Sequence, residues 1–228
     1  KSIVTTNLVD AVAANYGCKL IEVLTGFKFI GDQIARLEAE GRENDYILGF
    51  EESYGYLSGS YVRDKDAVDG AFLICEMAAY YRSKGMGLLE VLEGLYEKYG
   101  FCLNTLHSYE FEGMEGFEKM KGIMNRLHTM ASRIAEGEAV CIGGRKTEAV
   151  EDYLSGTISR ADKTTEPIAG LPSSDVLKFR LAGNASVVVR PSGTEPKLKL
   201  YISVSAEDKA KAQAEEEKIT AQMEEWFL

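Results

Sequence analysis

The sequence predicts an α/β protein, an open, mostly parallel sheet with helices on both faces, followed by a smaller α+β domain with an antiparallel sheet. Strand and helix signals alternate over the first hundred residues, which is typical of βαβ units. Near His107 this rhythm changes to short alternating strands around two helical segments. With 228 residues, of which 45% are hydrophobic, the chain is long enough for two domains with their own cores.

The first domain is predicted over residues 1–106. Strands are predicted at residues 3–5, 19–24 and 46–50, and helices at residues 8–16, 31–40, 66–83 and 88–99. The strand at residues 46–50 is apolar on both faces, as expected of a buried strand in a parallel sheet. Gly17 lies where a helix C-cap is expected, and Asp66 where an N-cap is expected.

The second domain is predicted over residues 107–228. Its strands are predicted at residues 107–112, 139–142, 176–180, 185–189 and 197–204, and its helices at residues 116–128 and 208–227. Residues 155–174 are rich in Ser, Thr, Gly and Pro and are predicted to be loop. Ser205 is the expected N-cap of the last helix.

The charge and the cysteines restrict the class of protein. The formal net charge is −10, which disfavours nucleic acid and anionic lipid as partners and requires a local cationic cluster for any phosphate ligand. The four cysteines form no CxxC motif and are expected to be buried free thiols in a reducing cytoplasm. No apolar run reaches membrane-spanning length. The first residues, KSIVTT, differ from a signal peptide and suggest an excised fragment.

The strongest local signal is the segment VVVRPSGTEPKLKLY, residues 187–201. Two alternating strands flank a loop that is bracketed by two prolines. A phosphate dianion needs several convergent donors, which an arginine fork, hydroxyl groups and glycine N–H groups supply. The candidate donors are Arg190, Ser192, Gly193, Thr194 and Lys199. The alternative is a tight β-hairpin in which Pro and Gly serve only for turning.

A second candidate site is GFEESYGY, residues 49–56, at the end of the predicted buried strand. Ligands of open α/β sheets bind beyond the carboxyl ends of the strands, and carboxylates accept hydrogen bonds from sugar hydroxyls. Neighbouring strand residues point to opposite faces. Glu51 and Ser53 are therefore expected on one face and Glu52 on the other, which argues against a paired-carboxylate acid/base site. A solvated acidic loop is the alternative.

Two further loops carry lysines. In TGFKFI, residues 25–30, Gly26 makes a turn and Lys28 is expected to project toward the same crevice. In RDKD, residues 63–66, Lys65 is the candidate ligand contact, and the spacing does not fit an EF-hand. GxxxxGK[ST] and GxGxxG motifs are absent. His107 and His128 show no metal-ligand spacing and are predicted to be structural.

Together, in this order and separation, the four segments resemble those of the α-D-phosphohexomutases, the phosphoglucomutases and phosphomannomutases. RPSGTEP, residues 190–196, resembles the phosphate-binding loop of the family's last domain. Residues 51–53 resemble the sugar-binding loop of its third domain, and residues 26–28 and 63–66 resemble two lysine-bearing loops of that domain. The resemblance covers essentially the whole chain and implies the C-terminal half, because no segment here is similar to the family's catalytic serine loop or its aspartate-rich Mg²⁺ loop.

The resemblance implies an intramolecular phosphate shift between the 1- and 6-positions of a hexose through a 1,6-bisphosphate. Glu51 and Ser53 would hold the sugar's 3- and 4-hydroxyls, and Lys28 and Lys65 would lie near the reacting end. The phosphate that does not react would be held by Arg190, Ser192, Gly193, Thr194 and Lys199. Mg²⁺ and a hexose 1,6-bisphosphate activator are implied for the full-length enzyme. This chain is expected to hold neither metal nor catalytic residue, to be inactive alone, and to have sugar phosphates and the missing N-terminal domains as partners.

The identity of the sugar stays open. Many bacterial phosphomannomutases have Gly-His after the serine of the sugar loop, whereas Tyr54, Gly55 and Tyr56 follow Ser53 here. This form is closer to the phosphoglucomutase branches, including those that act on pentose phosphates. Two other functions also stay open. One is a non-catalytic sugar-phosphate-binding module, and the other is a partner-binding domain using the acidic run at residues 215–217, a pattern otherwise typical of a solvated helix face.

Overall fold

The computed structural model describes residues 1–192 and 195–227. The chain divides into two compact units. Unit 1 comprises Lys1–Thr5 and Val9–Tyr99, and unit 2 comprises Thr6–Leu8 and the chain from Gly100 onward. The predicted mixed α/β class is confirmed, but the second unit is the larger of the two. The predicted boundary after residue 106 lies inside a strand of unit 2.

The helices and strands of the first hundred residues are α1 (Leu8–Asn15), α2 (Phe27–Ala39), β1 (Gly49–Glu51), β2 (Gly55–Leu57), α3 (Ala67–Ser83) and α4 (Leu88–Tyr99). β1 and β2 form an antiparallel hairpin in which Glu51 pairs with Gly55. Parallel pairing in the described residues is limited to the bridge between Ser2 and Val23. The mostly parallel sheet is therefore not confirmed. Most of residues 19–22 and 46–48 is at least partly exposed, so these runs lack the burial on both faces that a central parallel strand needs.

Helix α2 supplies much of the buried apolar surface of unit 1. Phe27, Ile30 and Ile34 are buried along one face, as the spacing of three or four residues of an amphipathic helix requires. The helix begins at Phe27, four residues earlier than predicted, because Gly26 serves as the N-cap with φ of 121°, a conformation that favours glycine. Lys28 consequently lies in the first helical turn rather than in a loop.

Unit 2 contains the strands β3 (Phe101–Glu110), β4 (Cys141–Ile142), β5 (Arg145–Asp152), β6 (Thr157–Arg160), β7 (Thr165–Pro167), β8 (Leu177–Leu181), β9 (Ala185–Pro191) and β10 (Lys197–Ala206), and the helices α5 (Gly113–Ala135) and α6 (Lys209–Phe227). Seven strands follow the order β3-β10-β9-β8-β5-β6-β7, and β4 pairs with β5. All of these pairings are antiparallel, which confirms the antiparallel sheet predicted for the second domain.

The side chains of unit 2 divide between the two faces of this sheet. Leu198, Leu200 and Ile202 of β10 are buried in one core with residues of α5 and α6. The intervening residues Lys199 and Tyr201 point to the opposite face, because successive strand residues alternate. The cationic positions of β10 therefore lie on the face away from this core.

Two expectations for unit 2 and one for the cysteines of the chain are wrong. The predicted loop at residues 155–174 contains β6 and β7, which are polar strands at one end of the sheet and so lack an apolar signature. Ser205 lies in β10, and Asp208 caps α6 instead by accepting a 2.8 Å hydrogen bond from the Lys211 N–H. Of the four cysteines, all free, only Cys102 is buried.

A short segment near the start of the chain belongs to unit 2. The Asn7 side-chain amide donates to Ser186 Oγ at 3.3 Å and to the Asn184 carbonyl at 3.4 Å. The Thr6 hydroxyl donates to Cys102 Sγ at 3.4 Å. These contacts attach residues 6–8 to the sheet of unit 2.

Candidate functional site

In unit 1 the structure brings three of the predicted site residues together around the Glu51 carboxylate. Glu51 is only 8% exposed at the end of β1. Its Oε2 accepts from the Gly26 N–H at 2.9 Å, and its Oε1 accepts from Lys65 Nζ at 3.1 Å. Lys65 Nζ also donates to the Ser53 carbonyl oxygen at 2.9 Å. We call Gly26, Glu51, Ser53 and Lys65 the Glu51 cluster.

Local sequence explains how the cluster forms. A Cβ at Gly55 would lie 2.5 Å from Glu51 Cγ and 3.0 Å from the Phe27 ring, so only glycine lets the hairpin close beside these side chains. The Asp66 carboxylate accepts from the N–H groups of Val68 and Asp69, which confirms the predicted cap and fixes the turn that carries Lys65. Those backbone hydrogen bonds, that of Asp69 first, together with the Tyr61 hydroxyl, lower the pKa of Asp66.

Lys28 is not part of the cluster. Its side chain is exposed, and its Nζ lies 4.9 Å from the centroid of the Phe29 ring. Within the described residues, no hydrogen bond or ion pair joins Lys28 to Glu51 or Lys65. Its predicted role as a ligand contact stays a prediction.

Glu52 lies in the turn after β1 rather than in the predicted strand, and Ser53 is exposed like Glu52. Glu52 Oε2 accepts from Ser2 Oγ at 3.3 Å. Glu51 is buried while Glu52 is not, so the two neighbouring carboxylates do not face one another as an acid/base pair requires.

In unit 2 the predicted phosphate-binding residues lie where β9 and β10 meet. Arg190 and Lys199 are directly opposite one another in the antiparallel ladder, and directly paired residues share one face of the sheet. The Ser192 N–H donates to the Lys197 carbonyl at 2.7 Å and closes the base of the loop. The predicted donors Gly193 and Thr194 lie outside the described residues.

The two lysines of this strand differ in their surroundings. Lys197 Nζ lies 3.1 Å from Glu110 and 3.3 Å from Glu195, and hydrogen bonds with Glu110 and then Glu195 raise its pKa. Among residues 1–192 and 195–227, no ion pair involves Lys199. Of these two lysines, Lys199 is therefore the one available to an external anion.

Both histidines lie in polar networks of unit 2. His107 Nε2 is 2.6 Å from Glu216 Oε1, which also accepts from the hydroxyls of Thr105 at 2.7 Å and Thr220 at 3.0 Å. Glu216 is buried, and although burial opposes the charge, these hydrogen bonds together lower its pKa. The interpretation of residues 215–217 as a solvated face is thus wrong for Glu216. In the described part of the chain, no group of three or more His, Cys, Asp or Glu residues is arranged to hold a metal ion.

Sequence reasoning missed the Gly26 N–H as a partner of Glu51. Backbone donors carry no residue-type signal, so only the helix start at Phe27 reveals this contact. The hairpin also places Tyr54 with φ of 53° and 92% exposure immediately after Ser53. An exposed aromatic side chain on such a backbone could not be identified from composition or spacing.

Comparison with known families identifies the chain. Residues 1–99 match the family model "Phosphoglucomutase/phosphomannomutase, alpha/beta/alpha domain III". Residues 141–220 match the model "Phosphoglucomutase/phosphomannomutase, C-terminal domain". This chain belongs to the phosphoglucomutase/phosphomannomutase family. Its two units thus correspond in sequence order to two consecutive domains of that family.

Curated relatives of this chain include two phosphoglucomutases of Staphylococcus aureus. The protein of strain MRSA252 is 39% identical over 208 residues, which are 91% of this chain and 36% of the relative. The protein of strain bovine RF122 / ET3-1 is 38% identical over 204 residues, which are 90% of this chain and 35% of the relative. The chain therefore spans little more than a third of the length of these relatives.

A solved structure supports the fold of this family member. The open form of pp63/parafusin, a phosphoglucomutase from Paramecium, aligns with a TM-score of 0.66 and 21% identity. The alignment covers 99% of this chain and 37% of that protein. None of the helices in the described residues has the length and apolar character needed to cross a membrane.

Proposed function

We propose that this chain binds a hexose phosphate for a phosphohexomutase reaction, the interconversion of hexose 1-phosphate and hexose 6-phosphate through a hexose 1,6-bisphosphate. We assign contacts with the sugar to Glu51 and Ser53, and contacts with the phosphate that does not react to Arg190, Ser192 and Lys199. The names of the Staphylococcus aureus relatives support glucose as the hexose. The proposal includes a cytoplasmic location.

The observation that carries this proposal is the cross-strand pair of cations in unit 2. Arg190 and Lys199 are directly opposite one another and share one face of the sheet. A phosphate dianion bound at this face would accept charge-assisted hydrogen bonds from both side chains. The hydroxyl of Ser192, the next residue but one after Arg190, is a further donor for the same anion.

The Glu51 cluster supports the sugar contact. The carboxylate is held by Gly26 and Lys65, so its orientation is fixed before a ligand arrives. Each carboxylate oxygen has two acceptor directions, and one hydrogen bond per oxygen leaves room for a sugar hydroxyl. Preorganised acceptors of this kind bind a ligand with less loss of side-chain entropy.

The catalytic contribution of these residues would be to position the substrate. Interactions with the sugar and with the remote phosphate can hold the reacting group in a productive geometry, which accounts for a large part of many rate enhancements. We assign the phosphate transfer, with its Mg²⁺ ion and hexose 1,6-bisphosphate activator, to the longer enzymes of the family.

Binding of glucose 1-phosphate to this chain, measured by calorimetry or ligand-observed NMR, tests the proposal. We expect Lys199→Ala to weaken binding at least about tenfold, since a hydrogen bond to a charged group contributes about 1.5–3 kcal/mol. Lys197→Ala is the matched control, two residues away on the same face but already paired with Glu110 and Glu195, and should change the affinity less than about twofold. Equal losses in the two variants, or no binding by the unaltered chain, would contradict the proposed site.

A coupled assay for glucose 6-phosphate tests whether this chain alone lacks the groups that transfer the phosphate. The chain alone should show no turnover of glucose 1-phosphate with Mg²⁺ and glucose 1,6-bisphosphate added. Turnover that survives rigorous purification would contradict the assignment of the catalytic groups to the rest of the enzyme.

A further inference from the structure

Tyr54 stands out in the hairpin that carries the Glu51 cluster. Its side chain is 92% exposed, more than any other large hydrophobic residue of the described chain. It follows Ser53, whose carbonyl accepts from Lys65. A bulky aromatic ring is thus presented to solvent at the residue that directly follows the candidate sugar contact Ser53.

The backbone of Tyr54 makes its exposure more informative. Its φ of 53° lies in the left-handed region, which is uncommon for a bulky side chain and easiest for glycine or asparagine. The glycine next to it is required at position 55, where the backbone closely approaches Glu51 and Phe27. It therefore does not relieve the strain at position 54. Because the strained backbone at position 54 nevertheless carries a tyrosine, we expect the tyrosine side chain itself to have a role.

The loop is also held firmly enough to aim the ring. The Tyr54 N–H donates to the Glu52 carbonyl at 2.9 Å, and Glu51 pairs with Gly55 directly below the turn. Lys65 joins the carboxylate of Glu51 to the Ser53 carbonyl. The ring therefore projects from a turn whose backbone is fixed on both sides.

We propose that Tyr54 is a specificity-determining residue whose ring packs against the apolar C–H face of the hexose while Glu51 accepts from its hydroxyls. This inference rests on the proposed function. A pyranose presents hydroxyls at its rim and C–H groups on its face, and an aromatic ring beside a hydrogen-bond acceptor matches both. The ring contacts the sugar and not the phosphate, so it discriminates between a sugar phosphate and free phosphate.

Two substitutions test the proposal in the whole chain. Tyr54→Asn removes the ring but tolerates the left-handed backbone, so the hairpin should keep its shape. Tyr54→Phe is the matched control, which keeps the ring and loses only the hydroxyl. We expect Tyr54→Asn to weaken glucose 1-phosphate binding about threefold to tenfold and to reduce saturation transfer to the sugar C–H protons. Tyr54→Phe should bind within about twofold of the unaltered chain, and inorganic phosphate should bind all three proteins equally.

The outcomes separate this inference from the function on which it rests. If the unaltered chain binds glucose 1-phosphate and Tyr54→Asn binds it equally well, the role of Tyr54 is wrong and the proposed function stands. If Tyr54→Asn weakens inorganic phosphate and glucose 1-phosphate to the same extent, the residue acts on the protein's structure rather than on the sugar, and the inference is again overturned. If the unaltered chain binds no sugar phosphate, both fail together.

Discussion

The ion pairs of His128 make the stability of unit 2 depend on pH. His128 Nδ1 lies 3.3 Å from Asp152 Oδ2, and its Nε2 lies 2.8 Å from Asp175 Oδ1. The hydrogen bonds to Asp152 and then Asp175 raise the pKa of His128 from 6.5 to about 9. The imidazolium thus links α5 to β5 and to the segment before β8 at neutral pH.

The sign and size of the effect follow from proton linkage. A pKa raised in the folded state gives stability that is fully present below the unfolded value of 6.5 and is lost as the pH rises through about 9. Taken at face value, the difference corresponds to about 3 kcal/mol, at about 1.4 kcal/mol per pKa unit. The Asp175 side chain is 45% exposed, so solvent screening reduces this figure, and we expect about 1–2 kcal/mol.

Urea unfolding monitored by tryptophan fluorescence measures this contribution. The single tryptophan of the chain, Trp226, packs against the core of unit 2, so its emission reports the unfolding of that unit. The free energy of unfolding should fall by about 1–2 kcal/mol more in the unaltered chain than in His128→Gln between about pH 6 and about pH 9.5. Asp175→Asn, which removes one charge at nearly constant size, should give an intermediate slope.

Identical pH slopes in the unaltered chain and His128→Gln would refute this reasoning. A direct titration of the imidazole carbon shifts by NMR provides a second check. A midpoint for His128 near 6.5 instead of near 9 would show that the carboxylates do not stabilise its charged form.

Three further predictions concern the free energy of unfolding, each with a matched control. Thr147 is 1% exposed, and its hydroxyl has no hydrogen-bond partner in the described structure, so Thr147→Val should raise the free energy of unfolding by about 1 kcal/mol and Thr147→Ser should not. Gly143→Ala should cost more than about 2 kcal/mol, because a Cβ there would lie 2.3 Å from Ile219 Cγ1 and 2.9 Å from its backbone nitrogen. Gly144→Ala, with a similar positive φ but open space, should cost only about 1 kcal/mol; equal losses at the two positions in urea unfolding would contradict the steric argument. Asp66→Ala should cost about 1 kcal/mol by removing the cap of α3, whereas Asp66→Asn should retain most of it, as unfolding followed by helical circular dichroism would show.

Predictions of local structure from the sequence were most accurate where the chemistry of a few neighbouring residues determines that structure. The cap at Asp66 follows from residue chemistry within a few positions. The helix at residues 88–99 follows from its periodicity, and the structure has the same bounds. The family resemblance implied that Glu51, Ser53 and Lys65 contact the ligand, but their contacts with one another are seen only in the structure.

The remaining features depend on interactions that one stretch of sequence does not contain. The strand at residues 145–152 was not predicted, because its composition is polar although it lies between β8 and β6 in the sheet. Glu216 was placed on a solvated face because its partners Thr105 and His107 lie more than a hundred positions away. The parallel pairing of unit 1 was inferred from the alternation of strand and helix signals along the chain. This alternation alone does not determine which strands pair with one another.

The attachment of residues 6–8 to unit 2 has a consequence for how the chain can be folded and divided. These residues leave the ribosome before nearly all of unit 1, but Ser186 and Cys102, which they contact, are made much later. The contacts of residues 6–8 therefore form only after residues 9–99 have been synthesised, and residues 9–99 separate two parts of unit 2 along the sequence. A gene truncated to begin at Gly100 would encode a sheet that lacks its Asn7 and Thr6 contacts, whereas a short synthetic peptide covering the first residues could restore them.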